Sequence, residues 1–210
     1  NTASKTRQPT PSNQLKSTYL VINKVCLPPI DVGQCFCCNE CQTSSTLEPA
    51  MSLTAADYNY LRLCVDLTQT ALYAGDEPFG SVLVNQFGDI LYQDHNHVAS
   101  SDATQHPEFA IARWAATNLS PEERAHCVVY TSGEHCPMCS AAHAWVGLGK
   151  IVYATSGQQL RTWLQEWQAP LAPVAALSIT DVAPNIETEG PVEEFEEEMR
   201  DLYRQAFQKP

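Results

Sequence analysis

A histidine and a glutamate two positions apart, His106 and Glu108, are followed about thirty residues later by two cysteines three apart, Cys136 and Cys139. Each pair stands where a loop or strand gives way to a helical pattern, and Pro137 directly after Cys136 suits the first position of a helix. For the four side chains to act together, the fold must bring two helix openings to one point. No other feature of the chain restricts its architecture as much. His106, Cys136 and Cys139 supply three ligands, the number that a catalytic zinc takes while keeping a fourth position for water. A helix N-terminus also favours thiolates, so the placement of Cys136 and Cys139 suits a metal. Glu108 is not needed as a ligand. Beside zinc-bound water it is placed to accept a proton and return it to a departing amine, which makes it the candidate catalytic residue, with one Zn2+ per domain.

Around that motif the elements alternate. Thr54 with Asp57 three residues on, followed by Leu61, Cys64, Val65, Thr68, Ala71 and Leu72, predicts a capped helix over 55–74, ended by Gly75 and Pro78. Ser81–Asn85 and Ile90–Tyr92 flank Phe87-Gly88-Asp89 as a β-hairpin. Further on, helices are expected near 107–118, 137–147, 158–168 and 192–208, with strands at Cys127–Thr131, Ile151–Ala154 and, weakly, 176–182. A helix and hairpin followed by alternating strands and helices predict an α/β fold. Its form is a three-layer α/β/α sandwich around a mixed sheet of about five strands, the later ones parallel. Residues 51–210 form that domain, with Met51-Ser52 reading as a natural initiator. Residues 1–50 lack periodicity and read as a disordered or non-native leader. Within it, Cys38 and Cys41, with Cys26 or Cys35, have spacing that zinc could use.

The formal net charge is −12, and residues 51–210 carry all of the excess acid. An acidic body repels phosphate backbones, which disfavours a nucleic-acid partner. The acidic face of the last helix reads as solvated surface. No apolar run approaches the ~20 residues of a membrane span. The Tyr19–Ile22 run, cut short by Asn23-Lys24, falls below the ~7–15 residues of a signal core. The nine cysteines cluster unevenly, which argues for free thiols or metal in a reducing compartment. A soluble cytoplasmic protein without a membrane partner is expected.

Two other chemistries fit parts of the motif. In a closed structural zinc module, His143, four residues after Cys139 on the same helix face, would be the fourth ligand, and Glu108 would only complement the helix dipole. In a thiol–disulfide oxidoreductase, the segment CVVYTSGEHCPMC, which resembles the active-site segment of glutaredoxins, would use Cys136 as nucleophile. That reading leaves His106 and Glu108 unexplained and finds no later Thr-Val-Pro turn.

HPE at 106–108 with CPMC at 136–139 resembles the H-x-E and P-C-x-x-C signature of the zinc-dependent cytidine and nucleobase deaminase superfamily. Glu77-Pro78-Phe79-Gly80-Ser81-Val82 is similar to the strand entry of guanine deaminases and bacterial tRNA adenosine deaminases. The segment from Asn96 to Thr104 resembles the loop that leads into their histidine. The resemblance is nearest to that branch and covers about residues 55–155. It implies a cytidine deaminase-like fold and hydrolytic release of ammonia from a nucleobase, nucleoside or related amino-heterocycle. His106, Cys136 and Cys139 would hold zinc and Glu108 would shuttle protons, while Asn96 would hydrogen-bond the base and Phe79 would wall the pocket. It implies a homodimer through helices beside the site. The segment Ser156–Pro184 would close the pocket, with Arg161, Trp163, Trp167 and Asp181 as candidates. Two positions depart from the pattern: His135 stands where the signature has Pro, and Pro107, which lacks an N–H, replaces a small residue.

Overall fold

The computed structural model describes residues 53–208, so the expectations for residues 1–50, including the Cys26–Cys41 cluster, lie outside the described residues. The described residues open on α1 (Ala55–Ala74), whose start is set by a reciprocal capping box between Thr54 and Asp57 and whose end is set by Gly75 at φ +86°. Leu61, Cys64, Val65, Thr68 and Ala71 form its buried stripe. A hairpin follows, β1 (Gly80–Val84) and β2 (Ile90–His95), with Gly88 at φ +89° in the turn. Then come α2 (Pro107–Asn118), α3 (Pro121–Ala125), β3 (Val128–Gly133), α4 (Pro137–Val146), β4 (Ile151–Thr155), α5 (Gly157–Glu166), α6 (Ile179–Val182), β5 (Thr188–Glu189) and α7 (Glu196–Phe207).

The five strands lie in the order β2-β1-β3-β4-β5. β1 runs antiparallel to both β2 and β3, whereas β3, β4 and β5 are parallel. Successive strand residues face opposite sides of a sheet, so Val82 and Val84 enter one core while Leu83 between them enters the other. The first core packs Leu61, Val65, Tyr130, Val152, Trp163, Met199 and Tyr203 between the sheet and α1, α5 and α7. The second packs Ile111, Ala112, Ala115 and Val129 beneath α2 and α4. Each Val, Leu, Ile or Met side chain among these, when fully buried, contributes about 1.5–3 kcal/mol. Burial on both faces is why β1 reads as a continuous apolar run. At Gly80 the helix lies directly on the strand: a Cβ there would sit 2.5 Å from the Cys64 carbonyl oxygen.

The expected α/β/α sandwich with a mixed five-stranded sheet is what forms. One expected element does not. The weak strand near 176–182 is instead α6, because Ser178 and Asp181 close a capping box around its first turn. The fifth strand is the two-residue β5 farther on. The short α3 has the same origin, a Ser120–Glu123 box. Among the described residues no helix is long and apolar enough to cross a membrane.

Candidate metal centre and catalytic cleft

His106 is the N-cap of α2, and Cys136 is the N-cap of α4. Pro107 and Pro137, each in the first turn, occupy positions whose N–H has no helical partner, so proline costs nothing there. Because α2 and α4 pack side by side under the same sheet face, their openings coincide. His106 Nδ1 lies 3.7 Å from Cys136 Sγ and 3.7 Å from Cys139 Sγ, and the three ligand atoms all fall within 4.8 Å of one another. Tetrahedral zinc at ordinary Zn–S and Zn–N lengths separates a sulfur from a nitrogen by about 3.6 Å. The donor set therefore fits the ion without rearrangement. Cys139 hydrogen-bonds Cys136, and this first of all draws the Cys136 thiol down to about 4, with His106 adding to the effect; the same bond pushes Cys139 up. One negative charge is thus already stabilised at the mouth of the helix, and the bond to Cys136 is the main cause that raises the pKa of the His106 imidazole above its ordinary value.

Glu108, only 5 % exposed, reaches the same point from the first turn of α2. The hydroxyls of Ser81 on β1 and Thr131 on β3 each lie 3.1 Å from its Oε1, while Cys139 Sγ lies 3.5 Å from its Oε2. Burial raises its carboxyl above the usual range. One oxygen is therefore fixed by two strands, and the other is turned toward the donor set. Ser81 and Thr131 face one another in the β1–β3 register. The expected site did not include this pair as a carboxylate support. Two hydroxyls interrupting apolar strands were the available signal, legible only once the register is known.

His143 does not join the metal group. Its Nε2 lies 2.8 Å from the Gly149 carbonyl oxygen, beyond the far end of α4, so the alternative of a closed module with His143 as fourth ligand is not favoured. His135 is 2 % exposed, stands edge-on to His143 with centroids 5.3 Å apart, and has no partner for either ring nitrogen among the described residues. Burial drives its pKa well down, so it is a neutral wall rather than a charge.

Asn96 is wholly buried; its Oδ1 accepts from Val98 N at 2.9 Å, its own N–H donates to the Phe79 carbonyl at 3.0 Å, and its Nδ2 finds no partner. An unmet buried donor costs about 1–3 kcal/mol. Phe79 both lines the cleft and packs on Tyr203 at 5.4 Å. His95 and His97 are half-buried, and with Asp94 they form a second group of ligand atoms within 4.8 Å. There His97 Nε2 already lies 2.9 Å from Asp94 Oδ1.

His106, Glu108, His135 and Cys136 open into a cleft of about 900 Å³. Its outer wall is the segment from Trp167 to Leu177, and Gln205–Phe207 at the end of α7 complete the rim. Arg161 and Trp167 line it as expected. Trp163 is core instead, 6.1 Å from Tyr203, and Asp181 is spent on capping α6. The sequence pattern gave no hint that the end of α7 reaches the rim, because its apolar stripe marks core packing alone.

The sheet order is that of a cytidine deaminase-like fold, and the donor set suits zinc. Residues 54–155, just under half of the chain, match the family described as "Cytidine and deoxycytidylate deaminase zinc-binding region", and in that region the chain is similar to the zinc-dependent cytidine and nucleobase deaminases. It is 33 % identical over 109 residues to "Probable cytosine deaminase" of Schizosaccharomyces pombe, covering 51 % of this chain and 65 % of that protein. It is 34 % identical over 96 residues to guanine deaminase of Bacillus subtilis, covering 45 % and 62 %. The matched region thus spans less than two thirds of the length of either relative. The solved guanine deaminase from Nitrosomonas europaea shares the fold, with a TM-score of 0.55 over 73 % of this chain and 85 % of that one at 16 % identity.

Proposed function

We propose that this protein hydrolyses the exocyclic amine of a nucleobase, nucleoside or related amino-heterocycle, with His106, Cys136 and Cys139 holding one zinc and Glu108 moving the protons. The observation that carries the reading is the convergence of three ligand atoms within 4.8 Å beside a buried carboxylate that is not among them. Zinc held there supplies the Lewis acidity that makes water nucleophilic at neutral pH. The rest falls to the chain. Glu108 takes the two protons of the attacking water in turn and delivers one to the adjacent ring nitrogen and the other to the amine, which leaves as ammonia while the ring carbon becomes a carbonyl. Asn96 Nδ2 donates to a ring acceptor and thereby orients the amine-bearing carbon, and Phe79 and His135 exclude bulk water. The relatives' names, cytosine deaminase and guanine deaminase, support this class of substrate.

The thiol–disulfide reading is less well supported, since it gives no task to His106 or Glu108. A homodimer belongs to the same proposal; Trp145, 89 % exposed on α4, offers it an apolar contact. Ammonia release across purines, pyrimidines, pterins and triazines tests the activity. The proposal fails if the zinc-loaded protein releases ammonia from none of them.

A further inference from the structure

Seven Lys and Arg side chains lie within residues 53–208, and five are engaged. Arg62, Lys150, Arg200 and Arg204 pair with carboxylates, and Arg124 donates to the Val146 and Leu119 carbonyls. Arg113 is exposed to water on α2. Arg161 differs from all of these. It is half-buried on α5, lines the cleft, and makes no hydrogen bond or ion pair with any described residue. A guanidinium carries five donors in a planar fork, and partial burial without acceptors disfavours it.

The cleft's own acids do not supply the missing partner. Glu134 accepts from Gly157 N at 2.8 Å through one carboxylate oxygen and from Ile179 N at 3.0 Å through the other. It thereby occupies the N-terminus of α5 and fastens the end of the 167–177 segment. Asp76 accepts from Ala99 N at 2.7 Å, Glu108 is fixed deep in the site, and Glu77, the fourth acid lining the cleft, lies within electrostatic reach of His106 and forms no ion pair with Arg161. The volume, about 900 Å³, also lies near the upper end of the ~300–1,000 Å³ found for drug-sized ligands, so a bare base would fill little of it.

We propose that the substrate carries an oxyanion, a phosphate or a carboxylate, on the side away from its amine, and that Arg161 receives it as a two-pronged hydrogen-bond partner. This rests on the deaminase reading and narrows it: the preferred substrate is an anionic amino-heterocycle rather than the free base.

Matched series separate the two ideas. The zinc-loaded full chain is given cytosine, cytidine and CMP, then guanine, guanosine and GMP, then pterin and pterin-6-carboxylate, with ammonia as the readout. In the productive series the anionic member should have a kcat/KM at least about 10-fold above its neutral counterpart. Arg161→Gln should erase that preference by raising KM about 10- to 100-fold for the anionic member alone, leaving kcat and the neutral member unchanged, and Arg161→Lys should restore part of it. Whether the phosphate or the carboxylate series responds identifies the source of the anion. Equilibrium binding of CMP, GMP and pterin-6-carboxylate to wild type and Arg161→Gln gives a readout independent of turnover. Equal turnover of neutral and anionic members, or binding indifferent to Arg161, overturns the proposal and leaves the deaminase reading standing. Absence of ammonia from every series, with anion binding that still depends on Arg161, overturns the deaminase reading instead.

Discussion

Replacing Glu108 by glutamine separates chemistry from architecture at this site. Glutamine keeps the shape, and its oxygen can still accept from the Ser81 and Thr131 hydroxyls, both 3.1 Å away in the native protein. Its amide nitrogen then points at Cys139 Sγ, 3.5 Å from the present Oε2, as a donor to that sulfur. Burial already disfavours the ionised carboxyl, so removing its charge relieves a penalty and leaves the fold no less stable. The glutamine cannot accept a proton. General acid–base groups contribute about 10²–10⁴-fold, so kcat should fall by that factor, about 3–5 kcal/mol of barrier. Steady-state ammonia release, zinc content and a thermal melt on the same preparation give the answer. Retention of more than about a tenth of wild-type kcat at saturating substrate would refute the proton relay. Loss of zinc in parallel with activity would show that the carboxylate holds the site together and moves no proton.

Other expectations follow from individual residues. His106→Ala should lose about one equivalent of zinc and lower the melting temperature, and excess zinc should not restore the lost stability; unchanged metal content would remove His106 from the donor set. Asn96→Ala should raise KM and also lower the melting temperature, because it removes the unpartnered Nδ2 together with the Oδ1 that accepts from Val98 N at 2.9 Å; an unchanged KM would make Asn96 purely structural. Gly80→Ala should cost about 1–3 kcal/mol by overpacking, since the added methyl meets the Cys64 carbonyl oxygen at 2.5 Å; an unchanged denaturation midpoint would contradict that close approach. Burial lowers the pKa of His143 from 6.5 to about 4. Its contribution to stability is therefore fully present above 6.5 and is lost as pH falls toward 4, by about 3 kcal/mol in total. His143→Gln should flatten that part of the pH–stability curve, and an unaltered slope would count against a buried neutral imidazole.

Much of the fold was legible because it is governed locally. Thr54 with Asp57 announces α1, and Gly75 ends it; the HPE and CPMC segments read as helix openings and are. Where local rules competed, the reading went astray. Residues 176–182 carry enough apolar character for a strand, yet the Ser178–Asp181 box, together with the bond from Ile179 N to Glu134, makes the first part of α6 helical. Trp163 and Trp167 are one turn apart on the same pattern, and only packing against Tyr203 sends the first to the core and leaves the second at the cleft.

The sequence by itself determined the donor types, their spacing and their position at helix starts, because capping, proline geometry and the reach of a cysteine pair are decided within a few residues. Tertiary structure alone decided that His106 meets both sulfurs, that Ser81 and Thr131 grip Glu108, and that Arg161 stands without a partner. Those relations join residues far apart in the chain. They depend on strand order, register and the angle at which α2 and α4 share one face of the sheet, which no local pattern encodes.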